Sequence, residues 1–137
     1  MDRQILTEKI ESLRRCVGRV QEKCPATVET LFEDVDLQDI LVINLSRAVQ
    51  LSVDIAAHVL AESGVPAPET MGSAFDALAR AGVISDSLSV RLRKAVGFRN
   101  IAVHNYEAID WRIVFSLAHN HLSDFEMFAE AITRQLP

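Results

Sequence analysis

The sequence predicts an all-α protein, a single domain of residues 1–137 built as a four- or five-helix bundle with up-and-down neighbours. Apolar residues recur at helical spacing in several long segments, and no segment alternates apolar and polar residues long enough to predict a strand. Glycine and proline are scarce, with five glycines and four prolines among the 137 residues. This scarcity argues against a β-sandwich or barrel, which needs many turns.

Two segments carry the same apolar stripe, in which successive apolar residues lie 4, 3, 4, 3 and 4 positions apart. The first stripe predicts a helix of about six turns that Pro25 ends, with Cys24 facing the core and Cys16 facing outwards. Its members are Leu6, Ile10, Leu13, Val17, Val20 and Cys24. The second stripe predicts one C-terminal helix capped by Asp110. Its members are Val114, Ala118, His121, Phe125, Phe128 and Ile132.

Capping and breaking residues divide the chain between these two helices. A short helix is predicted over residues 27–34, and Asp36 is predicted to be the N-cap of a long helix that follows. That helix should end near Ser63, because Gly64 can take the left-handed conformation and Pro66 forbids continuation.

Two further helices are predicted before the C-terminal one. The first covers about residues 69–81 and ends at Gly82, which can take the left-handed position after a helix. The next begins after an N-cap at Ser85 or Asp86, since both side chains can accept a hydrogen bond from a free backbone N–H.

The net charge is −5, from 14 basic and 19 acidic side chains. This balance excludes a globally basic nucleic-acid binder but allows a local basic patch. No uncharged run is long enough to span a bilayer, and the first residues contain no apolar signal core. We therefore expect a cytoplasmic protein with no membrane partner, whose two cysteines, Cys16 and Cys24, are reduced thiols.

Most signatures of enzymes and cofactor sites are absent from the sequence. There is no glycine-rich phosphate loop, no GxSxG motif and no CxxC or HExxH metal pattern, so we expect neither a metal nor a cofactor. His58, His119 and His121 are interpreted as ordinary core or surface residues. Asn44 lies near the apolar face of its helix and is expected to bond a neighbouring backbone group.

The segment Arg99-Asn100-Ile101-Ala102-Val103-His104-Asn105-Tyr106 is the exception. It places Arg, Asn, His and the single tyrosine of the chain at the junction of two predicted helices. Asn105 is the expected terminator of the first helix, because asparagine tolerates the left-handed conformation.

A local basic patch accompanies this segment. Residues 86–112 contain five basic and three acidic side chains, a net +2, and the rest of the chain contains nine basic and sixteen acidic side chains, a net −7. The patch residues beside the motif are Arg91, Arg93, Lys94 and Arg112.

The residue types of the motif suit cleavage of RNA. The 2′-hydroxyl is a built-in nucleophile, a histidine can transfer protons near pH 7, and an arginine can hold the scissile phosphate. Asn100 and His104 share a helix face, but Arg99 and His104 lie about 140° apart around an ideal helix. They diverge unless the helix ends there, the arginine reaches round, or two copies face each other in a symmetric dimer.

Arg99-Asn100, three further residues and then His104-x-Tyr106 resemble the R-x4-H-x-Y signature of HEPN domains. The resemblance is strongest to the HepT toxins of type VII HepT/MntA toxin–antitoxin pairs, and it covers nearly the whole chain. It implies a HEPN-like helical bundle that forms a homodimer or higher oligomer, with both motifs lining one cleft. It further implies a metal-independent endoribonuclease that acts on RNA.

The same resemblance implies the role of each motif residue. Arg99 would bind the phosphate, His104 would be the acid/base residue, and Asn100 would support them. Tyr106 matches the tyrosine that an MntA-like nucleotidyltransferase antitoxin modifies with AMP. The added charge and bulk would lie where an RNA phosphate otherwise binds.

Two other hypotheses remain open from the sequence. The protein could be a non-catalytic helical partner, or nucleotide-binding subunit, of a nucleotidyltransferase. Alternatively, the motif could be a purely structural network at a helix junction, with Asn105 as a cap and His104 bonded to the backbone.

Overall fold

The computed structural model describes residues 2–136 and contains seven α-helices, one 3-10 turn and no strand within that range. The helices are α1 (Arg3–Lys23), α2 (Val28–Glu33), α3 (Val35–Glu62), α4 (Met71–Arg80), α5 (Asp86–His104), α6 (Trp111–Asn120) and α7 (Leu122–Thr133). The 3-10 turn, Tyr106–Ala108, joins α5 to α6. The predicted all-α class is confirmed. Seven helices exceed the four or five predicted for the bundle, because α2 is short and the C-terminal segment is divided.

Helix α3 lies at the centre of the bundle. It packs along α1 on one side and contacts α4, α5, α6 and α7 on others. Ten of its residues are buried: Leu41, Val42, Leu45, Ala48, Val49, Ser52, Ile55, Ala56, Val59 and Leu60. Among residues 2–136, α3 is the one helix that could cross a membrane by length and composition. Core helices pass the same test, and the apolar side of α3 is occupied inside the bundle.

Two aromatic rings from different helices pack against each other in the core. Phe75 of α4 and Phe128 of α7 are fully buried and meet edge to face, with ring centroids 5.7 Å apart. An edge-to-face pair of this kind stabilises the fold beyond the apolar area it buries. The contact ties α4 and α7 together, although they lie far apart in sequence.

Most predicted helix ends are confirmed. Ser85 caps α5 by accepting a hydrogen bond from the backbone N–H of Leu88 at 3.1 Å, and Ser63 ends α3. Gly64 and Gly82 have φ angles of +73° and +76°, the left-handed conformation predicted for both. The predicted N-cap of α3 is wrong, because Asp34 rather than Asp36 accepts the hydrogen bond from Leu37 N–H, at 3.0 Å. The helix therefore starts two residues earlier than predicted.

Two predictions drawn from the apolar stripes are also wrong. Cys16 is buried and does not face outwards as predicted, whereas Cys24 is partly buried and packs against the core as predicted. The reason is that α1 packs against both α3 and α7, which together cover a wider arc of α1 than one stripe. The C-terminal segment, predicted to be one helix, forms two. Helix α6 ends at Asn120, and His121, with φ −123° and ψ 9°, separates it from α7. His121 is half-exposed and lies 3.5 Å from a carboxylate oxygen of Asp124.

The two glycines Gly82 and Gly18 should respond oppositely to substitution by alanine. Gly82→Ala should lower the free energy of unfolding by about 1 kcal/mol, because its φ of +76° disfavours a side chain. Gly18→Ala should raise it by roughly 0.5–1 kcal/mol, because Gly18 lies inside α1 with nothing within 4 Å of the added methyl group. Urea unfolding of both variants measures the difference, and a change of the same sign in both would contradict the assignment.

Candidate functional site

The motif occupies the last turn of α5 and the 3-10 turn after it. Helix α5 stays regular through His104, and the N–H of Asn105 donates to the carbonyl of Ile101 at 2.8 Å. Asn105 ends the helix as predicted, but its φ of −152° is not left-handed. With a ψ of 64°, Asn105 has a non-helical conformation, and the 3-10 turn begins at the next residue.

Arg99 and His104 point to different sides of α5. A guanidinium nitrogen of Arg99 lies 3.6 Å from the sulfur of Met71, so the half-buried side chain lies against the start of α4. His104 is exposed, and its imidazole has no hydrogen-bond partner among residues 2–136. Because the helix does not end or kink before His104, the divergence of about 140° expected for positions five apart remains.

Asn100 lies between the side chains of Arg99 and His104. Its side-chain oxygen accepts a hydrogen bond from Arg99 at 3.3 Å, and its position four residues before His104 places it on the same helix face. Asn100 is exposed, like His104. The surface therefore presents a polar strip that runs from the guanidinium across the amide towards the imidazole.

Tyr106 is held by a residue that lies 67 positions earlier in the chain. Its hydroxyl donates to a carboxylate oxygen of Asp39 in α3 at 2.7 Å. Its ring meets Trp111 edge to face, with centroids 6.1 Å apart. Partial burial and the neighbouring Asp39 raise the pKa of Tyr106 to about 12. These contacts fasten the 3-10 turn to the start of α3 and leave 43% of Tyr106 exposed.

The functional contacts of Asp39 and Trp111 were missed by sequence reasoning. No local pattern pairs a residue of α3 with one beyond α5, since only the folded bundle brings them together. The available signals were weak: Asp39 is a carboxylate near a helix start, and Trp111 is the single tryptophan of the chain.

The structure separates the residues of the predicted basic patch. Arg91 pairs with Asp124 of α7 at 2.8 Å, whereas Arg93 pairs with Asp76 of α4 at 3.3 Å. Lys94 is exposed on α5. Arg112 of α6 lies over the ring of Phe32, 5.9 Å from its centroid. The four side chains thus face several helices, and the two with carboxylate partners have part of their charge neutralised.

Apolar side chains are exposed within and beside the motif. Ile101, Val103 and Ile113 are 43%, 53% and 50% exposed. Ile101 and Val103 lie within the motif itself, and exposed apolar groups of this kind are available for contact with another protein surface. The surface around His104 is therefore polar along one strip and apolar beside it.

The sequence matches the family model of the HepT-like ribonucleases over residues 6–132. The chain belongs to this family. The family predicted from the motif is confirmed, and with it the assignment to a class of ribonucleases.

Individual relatives agree with this membership. The mRNA nuclease HepT of Shewanella oneidensis is 35% identical over 128 residues, which cover 93% of this chain and 96% of the relative. A putative RNase of Archaeoglobus fulgidus is 27% identical over 118 residues, which cover 85% of this chain and 81% of the relative.

A solved structure has the same fold over nearly the full length. It is the tri-AMPylated HEPN toxin of Shewanella oneidensis in complex with an MNT antitoxin, and it superposes with a TM-score of 0.89 at 34% identity. The superposition covers 98% of this chain and 99% of the other. The HEPN-like bundle implied by the motif is therefore confirmed as the fold of this HepT-like chain.

The Tyr106–Asp39 contact predicts an unusual titration. Because Tyr106 is the single tyrosine, the absorbance change of phenol ionisation should report it alone, with a midpoint near pH 12. Asp39→Asn should lower this pKa towards 10, because the carboxylate charge is removed. Asp36→Asn, one turn earlier on α3, is the matched control and should leave the midpoint unchanged.

The same shift fixes the direction of the effect on stability. The protonated phenol is favoured in the folded state, so its stabilisation is fully present below pH 10 and is lost as the pH rises towards 12. Equal midpoints of the phenol titration in the wild type and in Asp39→Asn would contradict the Tyr106–Asp39 contact.

Proposed function

We propose that this protein is the toxin of a toxin–antitoxin pair, a metal-independent endoribonuclease whose catalytic groups are Arg99 and His104. The observation that supports this most is the polar strip of half-buried Arg99 and exposed Asn100 and His104 near the end of α5 in a HepT-like ribonuclease chain. In cleavage, the 2′-hydroxyl attacks the adjacent phosphorus and the 5′-oxygen leaves. His104 transfers the protons, and Arg99 stabilises the charge that develops on the phosphate.

A homodimer supplies what one chain lacks. Within one chain Arg99 and His104 diverge, and the single histidine of the motif cannot at once take the 2′-hydroxyl proton and protonate the leaving oxygen. Two motifs that face each other provide two imidazoles and two guanidiniums in one cleft. The exposed apolar residues Ile101, Val103 and Ile113 support this arrangement, because they are available to be buried between two copies.

The RNA substrate would approach along the basic side chains near the cleft. Lys94 and Arg112 carry no carboxylate partner among residues 2–136 and are the stronger contributors to the patch. Arg91 and Arg93 contribute less, because Asp124 and Asp76 offset their charge. We place the protein in the cytoplasm, where RNA and a nucleotidyltransferase partner are both present.

Tyr106 is the proposed site of neutralisation by an MntA-like nucleotidyltransferase antitoxin that adds AMP. The support is the AMPylated HEPN toxin that shares this fold, together with the exposure of Tyr106 two residues after His104. An AMP group on the hydroxyl would bring negative charge and bulk to the cleft, where it would compete with an RNA phosphate.

Loss of His104 should abolish RNA cleavage. His104→Ala should lower the cleavage rate at least about 100-fold in the presence of EDTA, because general acid–base catalysis is lost. Arg99→Ala should act in the same direction by removing the group that holds the phosphate. His58→Ala, an exposed histidine of α3, is the matched control and should cut RNA at the wild-type rate.

Wild-type activity in a folded His104→Ala variant would refute the catalytic assignment. Binding to the nucleotidyltransferase without any RNase activity of the wild-type protein would favour instead a non-catalytic partner. If activity is lost, circular dichroism separates loss of catalysis from unfolding, and we expect a folded variant because His104 is exposed and its removal leaves the core intact.

Coexpression with the cognate nucleotidyltransferase should raise the intact mass by whole AMP units. Tyr106→Phe should show no increase, because it lacks the only phenolic oxygen of the chain. Rescue of growth with no mass increase on the wild-type protein would show that the antitoxin neutralises by binding alone.

A further inference from the structure

A groove lies between α1 and α3, and none of the motif residues lines it. Its volume is about 940 Å³, and it is lined by side chains from the middle of both helices. We propose that this groove is a second, non-catalytic binding site for the phosphate groups of single-stranded RNA. The inference rests on the proposed ribonuclease function and extends it to the path of the substrate.

Some of the charged groups in and beside the groove are already neutralised. Arg19 pairs with Glu22 at 3.3 Å on α1. Asp54 of α3 lies 3.9 Å from Lys9 and accepts a hydrogen bond from Gln50 at 2.9 Å. Glu22 and Asp54 are therefore each paired with a cation and repel an anion less, and Arg19 and Lys9 are each paired with a carboxylate.

Two arginines remain, one on each wall. Arg15 of α1 and Arg47 of α3 have no carboxylate within ion-pair distance in the described part of the chain. Both arginines line the groove, and Cys16 lines it as well. Burial raises the pKa of the Cys16 thiol, and the positive charges of Arg47 and Arg15 oppose the rise. These two arginines therefore place two positive charges on opposite walls of one cavity.

The chemistry of these groups fits phosphate. The guanidinium group of an arginine can donate two parallel hydrogen bonds to one phosphate. Its positive charge favours a phosphate over a neutral ligand. The side chains of Ser12 and Asn44 line the same groove. The amide nitrogen of Asn44 is used by the carbonyl of Ile40 at 2.8 Å, so its oxygen is free to accept from a ribose hydroxyl.

The groove also lies within reach of the motif along one helix. Arg47 and Asp39, the residue that holds Tyr106, are eight positions apart on α3, which is about 12 Å along the axis. Both are exposed. A single strand cleaved at His104 can therefore continue past Tyr106 along α3 and place a later phosphate between Arg47 and Arg15.

The experiment measures RNA binding separately from cleavage. The Arg15→Ala/Arg47→Ala variant should bind a non-cleavable 2′-O-methyl RNA at least about tenfold more weakly than wild type. The slope of log K against log salt should become shallower by about 0.7 for each phosphate group that the variant no longer binds. The matched control, Arg14→Ala/Arg80→Ala, removes two exposed arginines outside the groove and should keep wild-type affinity and slope.

Cleavage of two substrates tests whether the groove is non-catalytic. Cleavage of a dinucleotide, too short to reach the groove, should be unchanged in the variant. For a long RNA, KM should rise and kcat should remain. The Arg15→Lys/Arg47→Lys variant, which keeps the charge without the guanidinium groups, should bind with intermediate affinity and guards against a folding defect in the alanine variant.

The outcomes separate this inference from the proposed function. Wild-type cleavage with unchanged RNA binding in the alanine variant would overturn the groove site and leave the ribonuclease function standing. Binding that depends on Arg15 and Arg47 in a protein that cuts no RNA would support the groove and refute the ribonuclease. Normal RNA binding with loss of the dimer or of the nucleotidyltransferase complex would overturn the inference in favour of a protein interface.

Discussion

The burial of one side of α3 is the constraint on which the rest of the molecule depends. Each of the other six helices contacts α3. Leu41, Leu45, Ile55 and Leu60 are at most 1% exposed, and burying each such side chain contributes about 1.5–3 kcal/mol. A helix held on so many sides has a narrow exposed face, and that face carries Asp39 and Arg47. The anchor of Tyr106 and one wall of the basic groove thus follow from the packing of the core.

The regularity of α5 imposes the second constraint. A helix that turns by about 100° per residue cannot bring positions 99 and 104 to the same side. Asn100 accepts a hydrogen bond from Arg99 and lies on the same helix face as His104. The imidazole of His104 and the guanidinium of Arg99 nevertheless stay apart in one chain. The geometry therefore makes association of two copies a requirement of the proposed chemistry rather than an addition to it.

Sequence reasoning succeeded where the determining interaction is local. Gly82 and Ser85 were predicted correctly because a left-handed glycine and a capping hydroxyl act within four residues of their partners. It failed where a neighbouring helix decides the outcome. Cys16 is buried because α3 and α7 together cover α1, which a single stripe does not reveal. The apolar spacing of the sequence continues through His121, so no local pattern indicated that the helix ends there. The candidate site divides in the same way: its motif lies within eight residues and could be identified, whereas the contacts that orient it depend on the packing of α3 and α4 against α5.

The Tyr106–Asp39 hydrogen bond bears on how the proposed addition of AMP to Tyr106 would silence the site. The phenolic hydroxyl is the donor in this bond. A tyrosine esterified to AMP has no proton to donate, and its phosphate would lie next to the Asp39 carboxylate, where like charges repel. The modified tyrosine could not keep its place against α3, and the 3-10 turn that follows His104 would lose its fastening. Modification would thus add a competing anion to the cleft and also release the segment that fixes the geometry of the motif.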